Sequence, residues 1–135
     1  MSGYSTTPLV KKLGIKEGYK IYFKNPPENY EKLLTQLPDN LHILSRLSSE
    51  IDIIQFFTKR KSELEKELKR QITKIKQNGM IWVSWPKKSS KVETDITEDV
   101  IREIALPMGL VDIKVCAVDE IWSGIKLVIR KENRK

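Results

Sequence analysis

The sequence predicts an α/β fold, a three-layer Rossmann-like arrangement in which about six strands form one mostly parallel sheet with helices on both faces and an antiparallel C-terminal hairpin. Three observations predict it. Short runs rich in β-branched and aromatic residues alternate with segments of helical period, which implies right-handed crossovers between parallel strands. The run "IDIIQFFT" (51–58) is apolar almost throughout, the pattern of a strand buried on both faces. Finally, "LVDIKVCAV" and "GIKLVIRK" follow one another with only "DEIWS" between them, the pattern of an antiparallel hairpin.

The elements follow in order. "TTPLVKKLGI" reads as a brief helix, with Thr6 or Thr7 as cap, Pro8 in the first turn and Gly14 at the end. "YKIYFK" (19–24) is the first strand, "ENYEKLLTQL" (28–37) a helix stopped by "PDN", and "LHILSR" (41–46) the second strand. After the buried third strand, "KSELEKELKRQITKIKQNG" opens on a Ser62/Glu65 capping box. It places Leu64, Leu68, Ile72 and Ile75 on one stripe and closes at Gly79. "MIWVSW" is the fourth strand, followed by the loop "PKKSSKVETD". "TEDVIREIALPMG" is a helix capped by Thr97 and stopped by Pro107 and Gly109. The spatial order expected is two, one, three, four, six, five, with the last strand (124–131) alone antiparallel.

Length and composition bound the function. The 135 residues suit one domain spanning 1–135. The start is polar and small, and no apolar run approaches the ~20 residues of a membrane span, so a soluble, cytoplasmic protein without a membrane partner is expected. Cys116 is the single cysteine and lies in an apolar run, which excludes an internal disulfide and favours an inert thiol over a nucleophile. His42 is the single histidine, and the sequence shows no His/Cys cluster at metal-ligand spacing and no partner set for a nucleophilic triad. Net charge is +7, yet residues 59–91 hold eleven Lys/Arg against three Glu, a local +8 that leaves −1 for the rest. Such a positive region steers phosphates or acidic surfaces toward it. The lysines of 66–76 read as a solvated helix face.

"GYSTTPLVKKLGIKEG", "MIWVSWPKKSSKVETDITEDVIRE" and "GLVDIKVCAVDEIWSGIKLVIRKENR" resemble a family of small bacterial proteins known only as a domain of unknown function. The element order resembles a shortened class I methyltransferase-like Rossmann fold. That resemblance implies a glycine-rich loop after the first strand and an acidic residue after the second, which would hold S-adenosylmethionine. The sequence departs at both places: the first loop is "KNPPENY", with no glycine between Gly18 and Gly79, and the second strand ends in Ser45 and Arg46. "NPPENY" resembles the Asn-Pro-Pro-Tyr motif of amino-group methyltransferases, but it follows the wrong strand, and Tyr30 stands three residues beyond Pro27. No cofactor is therefore expected.

In an open α/β sheet ligands bind outside the carboxyl ends of the parallel strands. The residues predicted there are Asn25, Arg46, Thr58, Lys59, Arg60, Trp85, Lys87, Lys88, Asp119, Glu120 and Trp122. Lys59, Arg60, Trp85, Lys87, Lys88, Asp119 and Trp122 form the candidate ligand site: cations for an anion, indoles for stacking, and a following helix N-terminus adding its dipole. Trp85, Lys87 and Trp122 are expected to share one concavity. The bland alternative gives Trp85 a place in the core and Lys87 a partner in Asp119 or Glu120. Three functions stay open, with no catalytic residue assigned. The first is a non-catalytic binding or regulatory domain for an anionic small molecule or acidic protein. The second is a methyltransferase-like enzyme with an atypical cofactor loop. The third, nucleic-acid binding, is favoured by charge but lacks a visible stacking platform.

Overall fold

Alternation of β-type and helical segments produces nine elements of regular structure in the computed structural model, which describes residues 8–28, 30 and 34–135. They are helix α1 (Leu9–Leu13), strands β1 (Lys20–Lys24), β2 (His42–Leu44) and β3 (Ile51–Phe57), helix α2 (Lys61–Ile72), strand β4 (Ile75–Pro86), helix α3 (Glu98–Ala105) and strands β5 (Leu110–Ala117) and β6 (Trp122–Ile129). The sheet runs β2-β1-β3-β4-β6-β5, with β1, β2, β3 and β4 mutually parallel and β6 antiparallel to both its neighbours. This is the order the sequence predicts.

Strand pleating divides the core in two. On one face Ile54, Phe56, Ile81, Val83, Trp85, Ile125 and Leu127 meet Leu64 and Leu68 of α2 and Ile101 and Ala105 of α3. On the other, Ile21, Ile53, Phe57, Trp82 and Trp122 meet Val10 and Leu13 of α1 together with Tyr30 and Leu34. Trp82 holds α1 in place, its indole Nε1 donating to the Leu13 carbonyl at 3.0 Å. Gly14 ends α1 in the left-handed region at φ 77°.

Three boundaries differ from the sequence expectation. Helix α2 stops at Ile72, and Ile75 opens β4 instead of extending the helical stripe. Gly79 is no helix stop; it sits in an irregularity of β4 where a Cβ would lie 2.9 Å from the Ile51 carbonyl oxygen. The Ser62/Glu65 box does not form, because Arg60 is the N-cap residue and the first helical N–H, on Lys61, goes to Asp95 Oδ1 at 2.7 Å. Thr97 caps α3 as predicted, accepting from the Val100 N–H. The proposed caps Thr6 and Thr7 lie outside the described residues, as does part of the helix expected at 28–37; residues 34–37 are not helical. No helix among the described residues is long and apolar enough to cross a membrane.

Candidate functional site

Strands β1 and β3 are neighbours whose crossovers leave in opposite directions, so the crevice at their carboxyl ends is the topological switch point where α/β sheets bind ligands. A bay of about 370 Å³ lies there, lined by Asn25, Pro27, Phe57, Thr58, Lys59, Arg60, Glu63 and Trp122. The carboxylate of Glu63, in the first turn of α2, organises it. Glu63 Oε1 accepts from Thr58 Oγ1 at 2.6 Å, and Oε2 accepts from Asn25 Nδ2 at 3.2 Å. Asn25 also donates to the Phe57 carbonyl at 3.3 Å. Phe57 and Trp122 close the floor edge to face, with centroids 5.2 Å apart.

A second, wider groove of about 660 Å³ opens on the opposite face of the same rim. Trp85, Pro86, Lys87, Lys88 and Lys91 line it together with Val92, Glu93, Thr94 and residues 96–98. The loop is stapled to the β3–α2 turn: Thr94 Oγ1 donates to the Lys59 carbonyl at 2.7 Å, the Asp95 N–H donates to the same carbonyl, and Asp95 holds the Lys61 N–H. Among the described residues Lys59, Arg60, Lys87, Lys88 and Lys91 have no carboxylate within ion-pair distance. Glu98, which also borders the groove, is engaged by Arg102 at 2.6 Å. A further cavity of about 340 Å³ is lined, among the described residues, by Phe23, Pro26, Tyr30, Leu34, Leu37 and Ile43, none of them charged.

The predicted site residues thus fall into two groups instead of one concavity. Lys59, Arg60 and Trp122 belong to the bay; Trp85, Lys87 and Lys88 belong to the groove. Trp85 pairs with Ser123 and Pro86 with Trp122, so pleating sends the two indoles to opposite faces. Both are largely built into the core, at 7% and 8% exposure. Asp119 faces its own turn, its Oδ1 accepting from the Ile121 and Trp122 N–H groups at 2.8 and 2.7 Å. Lys87 pairs with neither Asp119 nor Glu120 among the described contacts; its N–H reaches the Ile121 carbonyl. The N-terminus of α2, expected to favour an external anion, is already taken by Asp95. Glu63, Lys91, Thr94 and Asp95 were not predicted. Glu63 was legible as a first-turn carboxylate, but the staple joins residues over thirty positions apart and leaves no local signal.

The element order and sheet topology define a methyltransferase-like α/β fold. A putative type 11 methyltransferase from Sulfolobus solfataricus superposes with a TM-score of 0.59 at 14% identity, over 93% of this chain and 91% of that one. The fibrillarin pre-rRNA processing protein of Methanococcus jannaschii gives 0.57 at 12% identity, over 94% and 70%. Aeropyrum pernix fibrillarin, solved with natively bound S-adenosyl-L-methionine, gives 0.58 at 13% identity, over 84% and 68%. At these identities the likeness is one of fold. By sequence, the chain belongs to the family described as Protein of unknown function (DUF3052), whose model matches residues 45–131. No curated protein matches it significantly.

The cofactor that this fold class implies does not fit the residues present. Where a glycine-rich loop would offer bare backbone to S-adenosylmethionine, Asn25 turns the chain at φ 56°, and Pro26 and Pro27 supply no N–H. Tyr30 follows inward and is buried, donating its hydroxyl to Gln55 Oε1 at 2.9 Å between the rings of Phe23 and Phe57. Burial pushes its phenol far above the usual range, with nearby Cys116 and Asp119 adding to the effect, so it serves as a core donor. Strand β2 ends on Leu44 with Ser45 and Arg46 beyond, and neither supplies the carboxylate that grips both ribose hydroxyls.

Proposed function

We propose that this chain is a non-catalytic, cytoplasmic binding domain that holds an anionic small molecule of nucleotide or phosphate type at the carboxyl-end rim of a methyltransferase-like scaffold. One observation carries the reading. Lys87, Lys88 and Lys91 line a single groove beside Trp85, and none has a carboxylate partner among the described residues. Ammonium groups gathered at a concave surface concentrate anions there. The proline-containing first loop supports a ligand other than the usual methionine cofactor. Thermal-shift titration with ADP and inorganic phosphate tests this. ADP at ~100 times its Kd for the groove should stabilise the chain by about 2.7 kcal/mol, and K87A/K88A should remove that groove-dependent part of the shift. The same substitutions should change intrinsic stability by only about 0.5 kcal/mol, because Lys88 is exposed and neither ammonium has an ion-pair partner among the described residues. An ADP shift that survives K87A/K88A but vanishes in K59A/R60A would move the site to the bay, and no shift with either ligand would refute the reading.

A second reading, an enzyme of methyltransferase-like type, is favoured by the folds of the solved neighbours. It requires S-adenosylmethionine to bind despite Pro26 and Pro27. Isothermal titration giving a micromolar Kd would establish that requirement and displace the first reading.

A further inference from the structure

The hairpin carries a second cluster of cations, on the sheet face away from α2 and α3 and in mid-strand instead of at the rim. Lys114 of β5 and Lys126 of β6 are direct cross-strand partners. Like charges placed opposite one another destabilise a sheet. Lys126 is also half-buried. Its other neighbour is Trp82, over whose ring the Lys114 ammonium is poised at 5.9 Å, so the Lys114 side chain reaches across the strand that bears Lys126. Trp82 in turn binds the end of α1, which brings Lys12 and Lys16 to the same region. Burial, Lys114 and then Lys16 depress the basicity of Lys126; burial pushes the Cys116 thiol up, with Lys12 and Lys114 opposing it. Among the described residues none of these four lysines has an ion-pair partner. Glu17, adjacent to Lys16 in the chain, accepts from Asn40.

A sheet gains nothing from an uncompensated ammonium pair, and a half-buried cation without an acceptor costs free energy. Departures from local consistency of this kind are expected where a protein binds something. We infer that Lys12, Lys16, Lys114 and Lys126 form an anion site for a ligand with closely spaced phosphate charges, of the pyrophosphate or nucleoside-diphosphate class. The four lysines come from three separate segments that meet on the face of β5 and β6 carrying Lys126, which suits a compact multivalent anion; an extended polyanion would be followed by cations set in a row. Each ammonium brings three donors on a flexible stem and adapts to phosphoryl oxygens.

The test is isothermal titration of pyrophosphate into the full chain carrying K87A/K88A, so that the rim groove makes no contribution. Saturable binding is expected there, weakened at least about tenfold by K114Q/K126Q and also by K16Q alone. K16Q lies outside the hairpin, so its effect cannot arise from a disturbed sheet. Absence of saturable binding in the K87A/K88A chain, or binding unchanged by K114Q/K126Q, would overturn the inference; either result is separate from the outcome at the rim. Competition by ADP at an affinity like that of pyrophosphate would identify a free nucleotide as the ligand. Preference for a 5′-phosphorylated oligonucleotide that does not vary with its length would identify a nucleic-acid end, whereas affinity rising with oligonucleotide length would show a polyanion track and refute the compact site.

Discussion

Tyr30 shows how one side chain redirects a loop. Its ring completes an aromatic chain from Phe23 through Phe57 to Trp122, and its hydroxyl donates to Gln55 Oε1 in the interior. Replacement by phenylalanine keeps the ring but strands Gln55 Oε1, at a cost of about 1–3 kcal/mol measurable as a lower urea midpoint. Tyr30 also sets an alkaline limit. The unfolded phenol ionises near its ordinary value of 10.0, whereas the folded one stays protonated well beyond it. Above that pH the folded state retains a proton that the unfolded state has lost, so the contribution of Tyr30 is complete below pH 10 and declines above it, by ~1.4 kcal/mol per pH unit. Urea midpoints of the parent should fall through this window, and Y30F should show a shallower fall. Parallel curves would mean that Tyr30 does not stay neutral in the folded chain.

At the scale of elements, α2 depends on a residue far from it in sequence. Its first N–H is capped by Asp95 from the segment before α3, while Thr94 clamps the turn that precedes the helix. D95A should cost about 1 kcal/mol and speed amide exchange at Lys61 and in the first turn of α2. Exchange unchanged at Lys61 would show that the carboxylate contributes nothing to the cap. The sequence could not reveal this cap because Ser62 and Glu65 satisfy a local rule that a distant carboxylate overrides. The end of α2 misled for a related reason: Ile75 fits both the helical stripe and the start of a strand, and Gly79 reads as a stop although its role is to leave room for the Ile51 carbonyl.

For the molecule as a whole, strand order was legible because each strand announces its depth. Apolar runs at 51–57 and 80–85 became the central strands β3 and β4, and the short 42–44 became an edge with Ile43 exposed. Hydrogen exchange should follow that order, slowest in β3 and β4 and fastest in β2, which is paired on one side only. Comparable protection of β2 in dilute solution would mean that its free edge is covered. The site was less legible because its geometry rests on register. A single-residue offset in the turn at 118–121 decides whether Trp122 shares a face with Trp85, and composition does not encode that offset. The pairing of Pro86 with Trp122 separates them, and the predicted single concavity becomes two.

That separation gives the chain built-in spectroscopic resolution. Its three tryptophans occupy three different surroundings: Trp82 beneath the lysines of the hairpin, Trp85 in the wall of the groove and Trp122 in the floor of the bay. Variants that retain one indole and carry phenylalanine at the other two positions would each emit from one known place. A ligand that quenches or shifts only one of them would report its own location, without a label and before any complex is crystallised.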